Sequence, residues 1–258
     1  MPLTQIFLLL ATLAFAGGAV HTLLSLRAGK WHGNRWHWVP VMVGFALQTI
    51  FLFVRGQEVG QCPMKSLSDI LIFIAWSMVL LYFLVGSAYR LSLLGVFTAP
   101  MVVGMQTLAM VVPQAFPAYP EKVKIVALVE LHAAVALVAY AAFAMAAVTG
   151  VMYLLQERLL KNHRIGELFF QLPPIRELAR AIFRLVLLGV ALLSVALGIS
   201  FGLEKSAAGA KLVFAWSVWA LYAVLAVVMW RHLMSPRRLA WLAVGGFVMP
   251  FVSLWLIS

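Results

Sequence analysis

Eight stretches of this chain are long and apolar enough to leave few choices of fold. They cover roughly residues 3–26, 38–54, 69–88, 93–116, 125–155, 182–202, 212–230 and 239–257, joined by short polar links. A bilayer-crossing helix needs about 20 apolar residues, each adding ~1.5 Å to a path of ~30 Å. Lipid offers no water to an unpaired N–H or C=O, so such a run must satisfy its backbone internally as a helix. The chain is 64% hydrophobic and 10% charged, where soluble domains average about 45–50% and about 25%. The expected fold is an all-α, polytopic integral membrane bundle of about eight transmembrane helices, a single domain over residues 1–258. The first run has no basic residue ahead of it and is too long for a signal peptide's apolar core, so it is read as a retained helix.

The basic residues set the orientation. Thirteen fall in alternate links: Arg27, Lys30 and Arg35; Arg90; six between Arg158 and Arg184; and Arg231, Arg237 and Arg238. The opposite links hold six: Arg55, Lys65, Lys122, Lys124, Lys205 and Lys211. The richer side faces the cytoplasm, which puts both termini outside and suits a multi-pass protein of a bacterial inner membrane. Because the net charge of +11 is spread over these links, it implies membrane lipid as partner and no nucleic acid. Cys62 is the single cysteine, which excludes an intrachain disulfide and a CxxC redox pair. No nucleophile elbow, HExxH or P-loop is present, so no catalytic residue is assigned.

The fifth run outlasts the membrane. A helix over about 125–158 extends roughly 50 Å, against a ~30 Å hydrocarbon core, and should project into the cytoplasm. The segment that follows, RIGELFFQLPPIRELARAIFR (164–184), mixes charged with apolar residues. It is read as a cytoplasmic amphipathic segment over about 156–181, with an interfacial helix running from about Pro174 into the sixth span. Small residues in HAAVALVAYAAFAMAAVTG (132–150) allow close backbone approach and suit a central helix.

Ionisable groups at membrane depth are costly and mark candidate sites. His132 lies inside the outer end of the fifth span, and Glu130, two residues earlier, faces elsewhere at ~200° of helix rotation. His132 reads either as a packing group or as an axial ligand for haem iron, since neutral imidazole suits iron. His21, a weaker candidate, belongs to the opposite leaflet, so the two cannot share one iron. Ahead of the third span, Pro63 fixes a turn, Ser66 or Ser68 can cap the helix, and Asp69 suits its positive end. Trp76 follows Asp69 by seven residues and so shares nearly the same face. The pair reads as a capped helix with an aromatic belt, or as the lip of a flat apolar pocket.

Three stretches carry a family resemblance. GFALQTIFLFVRGQEVGQCPMKSLSDILIFIAW (44–76) resembles the CcsA-type cytochrome c assembly family, which includes the HemX-like proteins, through Arg55, Gly60, Pro63, Asp69, Phe73 and Trp76. ELHAAVALVAYAAFAMAAVTGVMYLLQERLLK (130–161) is similar through His132, Tyr140 and Tyr153. KLVFAWSVWALY (211–222) resembles, through Lys211, Trp216 and Trp219, the helix after the family's tryptophan-rich loop. The resemblance implies handling of haem at the outer face for attachment to apocytochrome c, with other cytochrome c assembly proteins as partners. It places His132 at the family's outer ligand histidine. It also implies cofactor-binding roles for Pro63, Asp69, Trp76, Trp216 and Trp219. The chain departs from the pattern at Gln48, where the family often has histidine. It also has LEKSAAGAK (203–211) in place of the tryptophan-rich loop, and no histidine in its last twelve residues. A subunit or relay fits these departures better than an autonomous synthase. Two alternatives are a HemX-like regulatory scaffold without haem and a small-molecule transporter. The transporter reading rests on the short likeness of AVHTLLSLR (19–27) to ALQTIFLFVR (46–55).

Overall fold

The computed structural model describes residues 3–28, 38–64, 66–89, 94–112, 116, 127–162, 172–202 and 209–257, and every regular element among them is a helix. Seven helices are long and apolar enough to cross a membrane. The protein is thus an all-α, multi-pass membrane bundle. The chain forms two compact units, one of residues 1–124 with 163–173 and one of residues 125–162 with 174–258.

The first unit contains α1 (Leu3–Arg27), α2 (Trp38–Val59), α3 (Leu67–Tyr89) and α4 (Leu94–Val111). Helix α1 packs on α2 and α4, α4 packs on α3, and α3 touches α2. Glycine lets α1 and α2 approach closely: a β-carbon at Gly44 would lie 2.8 Å from the Phe15 ring. The core is also polar in places. Thr12 donates to Gln106 Oε1 at 2.8 Å, and the fully buried Gln48 donates to Ile72 O at 3.1 Å. Side-chain hydrogen bonds of this kind hold helices together where lipid gives no hydrophobic drive.

The second unit contains α5 (Ala127–Lys161), α6 (Ile175–Ser200), α7 (Gly209–Trp230), α8 (Pro236–Gly246) and α9 (Val248–Ile257). Helix α5 has 35 residues, about 52 Å at ~1.5 Å each. It packs chiefly on α6 and also on α8. From Ala139 to Gly150 every residue of α5 is buried, which the run of alanines permits. The Phe143 ring stacks on Tyr222 of α7 at 3.7 Å between centroids, and a β-carbon at Gly189 of α6 would overlap that ring.

Two local outcomes follow from proline. Pro174 caps α6, which then runs without a break from its charged first turns into the apolar span, with Glu177 paired to Arg180. The stretch expected as the last span comes instead as two consecutive helices, α8 and α9, separated at Phe247. Pro250 has no N–H for the Gly246 carbonyl and its ring crowds that carbonyl, while the adjacent Gly245 weakens the helix further.

Candidate functional site

At one end of the first unit, the starts of α1 and α3 meet the end of α2. Helix α2 continues past residue 54 and carries Arg55 and Glu58 inside its last turns. Arg55 Nε lies 3.3 Å from Asp69 Oδ1, and Arg55 Nη1 lies 3.3 Å from Glu58 Oε2. Thr4 of α1 donates to Glu58 Oε1 at 3.1 Å. Ser66 donates to Asp69 Oδ2 at 2.7 Å and accepts from the Asp69 N–H at 3.1 Å. This reciprocal pair caps α3 much as a capping box does. Phe116, with left-handed backbone (φ 56°), sets its ring 5.7 Å from the Arg55 guanidinium carbon and edge-on to Phe51. Asp69 is fully buried, and the network spreads its charge over cation, hydroxyl and backbone donors.

Trp76 sits two turns deeper on α3, facing the same neighbour as Asp69. Its Nε1–H donates to Thr49 Oγ1 at 2.9 Å, and its ring stacks on Phe45 at 5.6 Å and 15°. Pro63 is buried 3.8 Å from the position a Gly56 β-carbon would take, against a groove of about 390 Å³ that Cys62 also lines. Pro63, Asp69 and Trp76 therefore lie along one α2–α3 seam. His21 is exposed on α1, seventeen residues beyond Thr4, about 25 Å along the helix. Within the first unit it stands at the other end from the Asp69 network.

In the second unit, His132 lies in the second turn of α5, half-buried against α6. Its Nδ1 lies 2.7 Å from Ala196 O. A carbonyl only accepts, so Nδ1–H is the donor and the other ring nitrogen, Nε2, is the one left for a ligand in the neutral ring. This is how a backbone carbonyl fixes the tautomer of a metal-binding imidazole. Trp219 of α7 donates to Ser194 Oγ at 2.8 Å, and Trp216 meets Trp219 edge-on at 5.5 Å. Phe201 lies 6.4 Å from Trp216. Ala196 is buried and Ser194 exposed, two residues and ~200° apart on α6. His132 and the tryptophan pair thus use different faces of that helix.

The sequence singled out Asp69 and the capping Ser66 but not the ionic partner Arg55. Arg55 lies beyond the expected end of the second span at residue 54 and so read as a link cation; its Arg-x-x-Glu spacing signals the local pair with Glu58 but not the one with Asp69, fourteen residues on. The acceptors on α6, Ala196 O and Ser194 Oγ, had no comparable sign in the sequence. Among the described residues no group of three or more His, Cys, Asp or Glu could hold a metal. A single histidine still suffices for haem, whose macrocycle supplies four nitrogens and asks the protein only for axial ligands.

Residues 64–257 match the Cytochrome C assembly protein family. Over 201 residues the chain is 32% identical to Protein HemX of Brevibacillus brevis, an alignment that covers 74% of this chain and 72% of that protein. The resemblance seen in the helix starts at Asp69 and His132 thus extends through most of the chain, and the protein belongs to the cytochrome c assembly family as a homologue of HemX.

Proposed function

We propose that this protein is a membrane component of cytochrome c biogenesis that holds haem near the outer face of a bacterial inner membrane. The observation that carries the reading is His132, whose Nδ1–H is committed to Ala196 O at 2.7 Å. That bond orients the ring and leaves Nε2 for an axial position. Bound haem would supply the iron macrocycle destined for apocytochrome c. His132 would hold it through Nε2, and any further protein ligand would come from a partner protein. Trp216 and Trp219 would offer aromatic surface on α7, while the Pro63–Asp69–Trp76 seam would keep the outer end of the first unit rigid. Apocytochrome c and other assembly proteins are the partners this role requires.

The test is an absorption spectrum of the purified protein, oxidised and reduced, with c-type cytochrome content measured in cells that lack it. A Soret band that shifts or disappears in His132→Ala supports the reading. No haem after reconstitution, together with unchanged cytochrome content, sinks it.

A second reading is a HemX-like regulatory scaffold that binds no haem. LEKSAAGAK (203–211), which contains no tryptophan, favours it, as does the likeness to HemX. Under this reading His132→Ala leaves function intact and changes within 156–184 abolish it.

A further inference from the structure

A cleft of about 670 Å³ opens in the second unit between the last turns of α5 and the start of α8. The two antiparallel helices are nearly in contact at Gly150, where a β-carbon would lie 3.1 Å from Ala240 O. Toward the end of α5 the cleft gains two unlike walls. Leu154, Leu155 and Trp241 form an apolar one, and Arg158, Lys161 and Arg237 form a basic rim. Glu157 is the one carboxylate lining it, bonded to Lys161 Nζ at 2.9 Å and to Arg237 Nε at 3.3 Å. Arg158 is exposed and has no ion-pair partner among the described residues. Three cations thus face one carboxylate. The first turn of α8 adds to the same potential, since the Ser235 side chain makes no cap hydrogen bond there and a helix start carries partial positive charge.

We propose that this cleft binds the headgroup of an anionic phospholipid, with the upper part of an acyl chain lying on the Trp241 wall. Three observations point to that occupant. The net charge of the lining calls for an anion. The apolar wall calls for a ligand with a hydrocarbon body, which a soluble phosphate lacks. The place is right as well: α5 at about 52 Å outruns a ~30 Å hydrocarbon core, which brings its end to the headgroup layer. Basic pockets between helices at that level bind anionic headgroups, and tryptophan favours the same interface. Trp241, 58% exposed, has the accessible face such a chain needs. The proposal is independent of haem and would hold for a scaffold that binds none.

The experiment is native mass spectrometry of the delipidated full chain titrated with phosphatidylglycerol or phosphatidylcholine. Wild type should retain phosphatidylglycerol preferentially. Arg158→Gln should lower that affinity roughly fivefold, on about 1 kcal/mol per basic residue, and leave phosphatidylcholine unchanged. Arg176→Gln, an equal loss of charge on α6 outside the cleft, should change neither. Trp241→Ala should weaken both lipids alike. Equal retention of the two lipids by wild type would overturn the proposal. So would an equal loss in Arg158→Gln and Arg176→Gln, or displacement of lipid by glycerol 1-phosphate at the same concentration. Arg158 and Arg176 are both exposed, so neither change empties a packed site.

Discussion

Arg55 and Asp69 form a buried ion pair, Nε to Oδ1 at 3.3 Å, that joins the end of α2 to the start of α3. Both residues are withdrawn from water, Arg55 at 5% exposure and Asp69 fully buried. Removing one partner of such a pair costs about 3–5 kcal/mol, while replacing both with apolar groups of similar volume is often neutral. Asp69→Ala should therefore lower the thermal midpoint sharply. The double variant Arg55→Met with Asp69→Leu should recover most of the loss. Melting curves of wild type, Asp69→Ala and the double variant in one detergent check this, and a double variant no more stable than Asp69→Ala would sink the idea.

Trp76 separates a hydrogen bond from a stack. Trp76→Phe keeps a ring against Phe45 but removes the donor to Thr49, and should cost about 0.5–1.5 kcal/mol. Trp76→Ala also removes the ring and should cost about 3–5 kcal/mol. Equal losses in the two variants, read by denaturant unfolding, would mean that the ring contacts contribute nothing.

His132→Asn distinguishes holding the helix from binding iron. Asparagine can still donate to Ala196 O, so stability should stay within about 1 kcal/mol of wild type. It offers no imidazole nitrogen, so any Soret band should be lost, and added imidazole should restore it in His132→Gly. A haem spectrum unchanged in His132→Asn would move the ligand elsewhere.

The centre of the second unit should tolerate no added volume at Gly189. A β-carbon there overlaps the Phe143 ring, which is already stacked on Tyr222 at 3.7 Å. Gly189→Ala should cost about 1–3 kcal/mol through forced displacement of that ring. Phe143→Leu in the same background should relieve part of it. A neutral Gly189→Ala in thermal melts would contradict the close packing of α5 on α6.

Tyr222 makes the opposite prediction. Its hydroxyl is buried with no hydrogen-bond partner among the described residues. Leaving such a group unpaired costs about 1–3 kcal/mol. Tyr222→Phe should keep the stack on Phe143 and raise the thermal midpoint. A lower midpoint would reveal a partner for the hydroxyl.

Sequence alone determined that this chain is a membrane bundle, because runs of about 20 apolar residues have no other way to satisfy their backbones in lipid. It also determined where α3 begins, since Ser66 and Asp69 are local to the turn they cap, and that α5 outruns the bilayer, since length is additive along a helix. The last apolar run, read as one span over 239–257, is divided at Phe247, because hydropathy registers length and apolarity while the break comes from backbone chemistry at Gly245, Gly246 and Pro250. Only the tertiary structure decided that Arg55 belongs with Asp69, that Glu58 reaches Thr4 across some fifty residues, and which nitrogen of His132 is free. Each of these depends on an acceptor carried by another helix, at a distance along the chain that no local pattern records. Propensity and periodicity act over a few residues, but a buried charge or an imidazole takes its chemistry from whichever neighbour packing brings within hydrogen-bond reach.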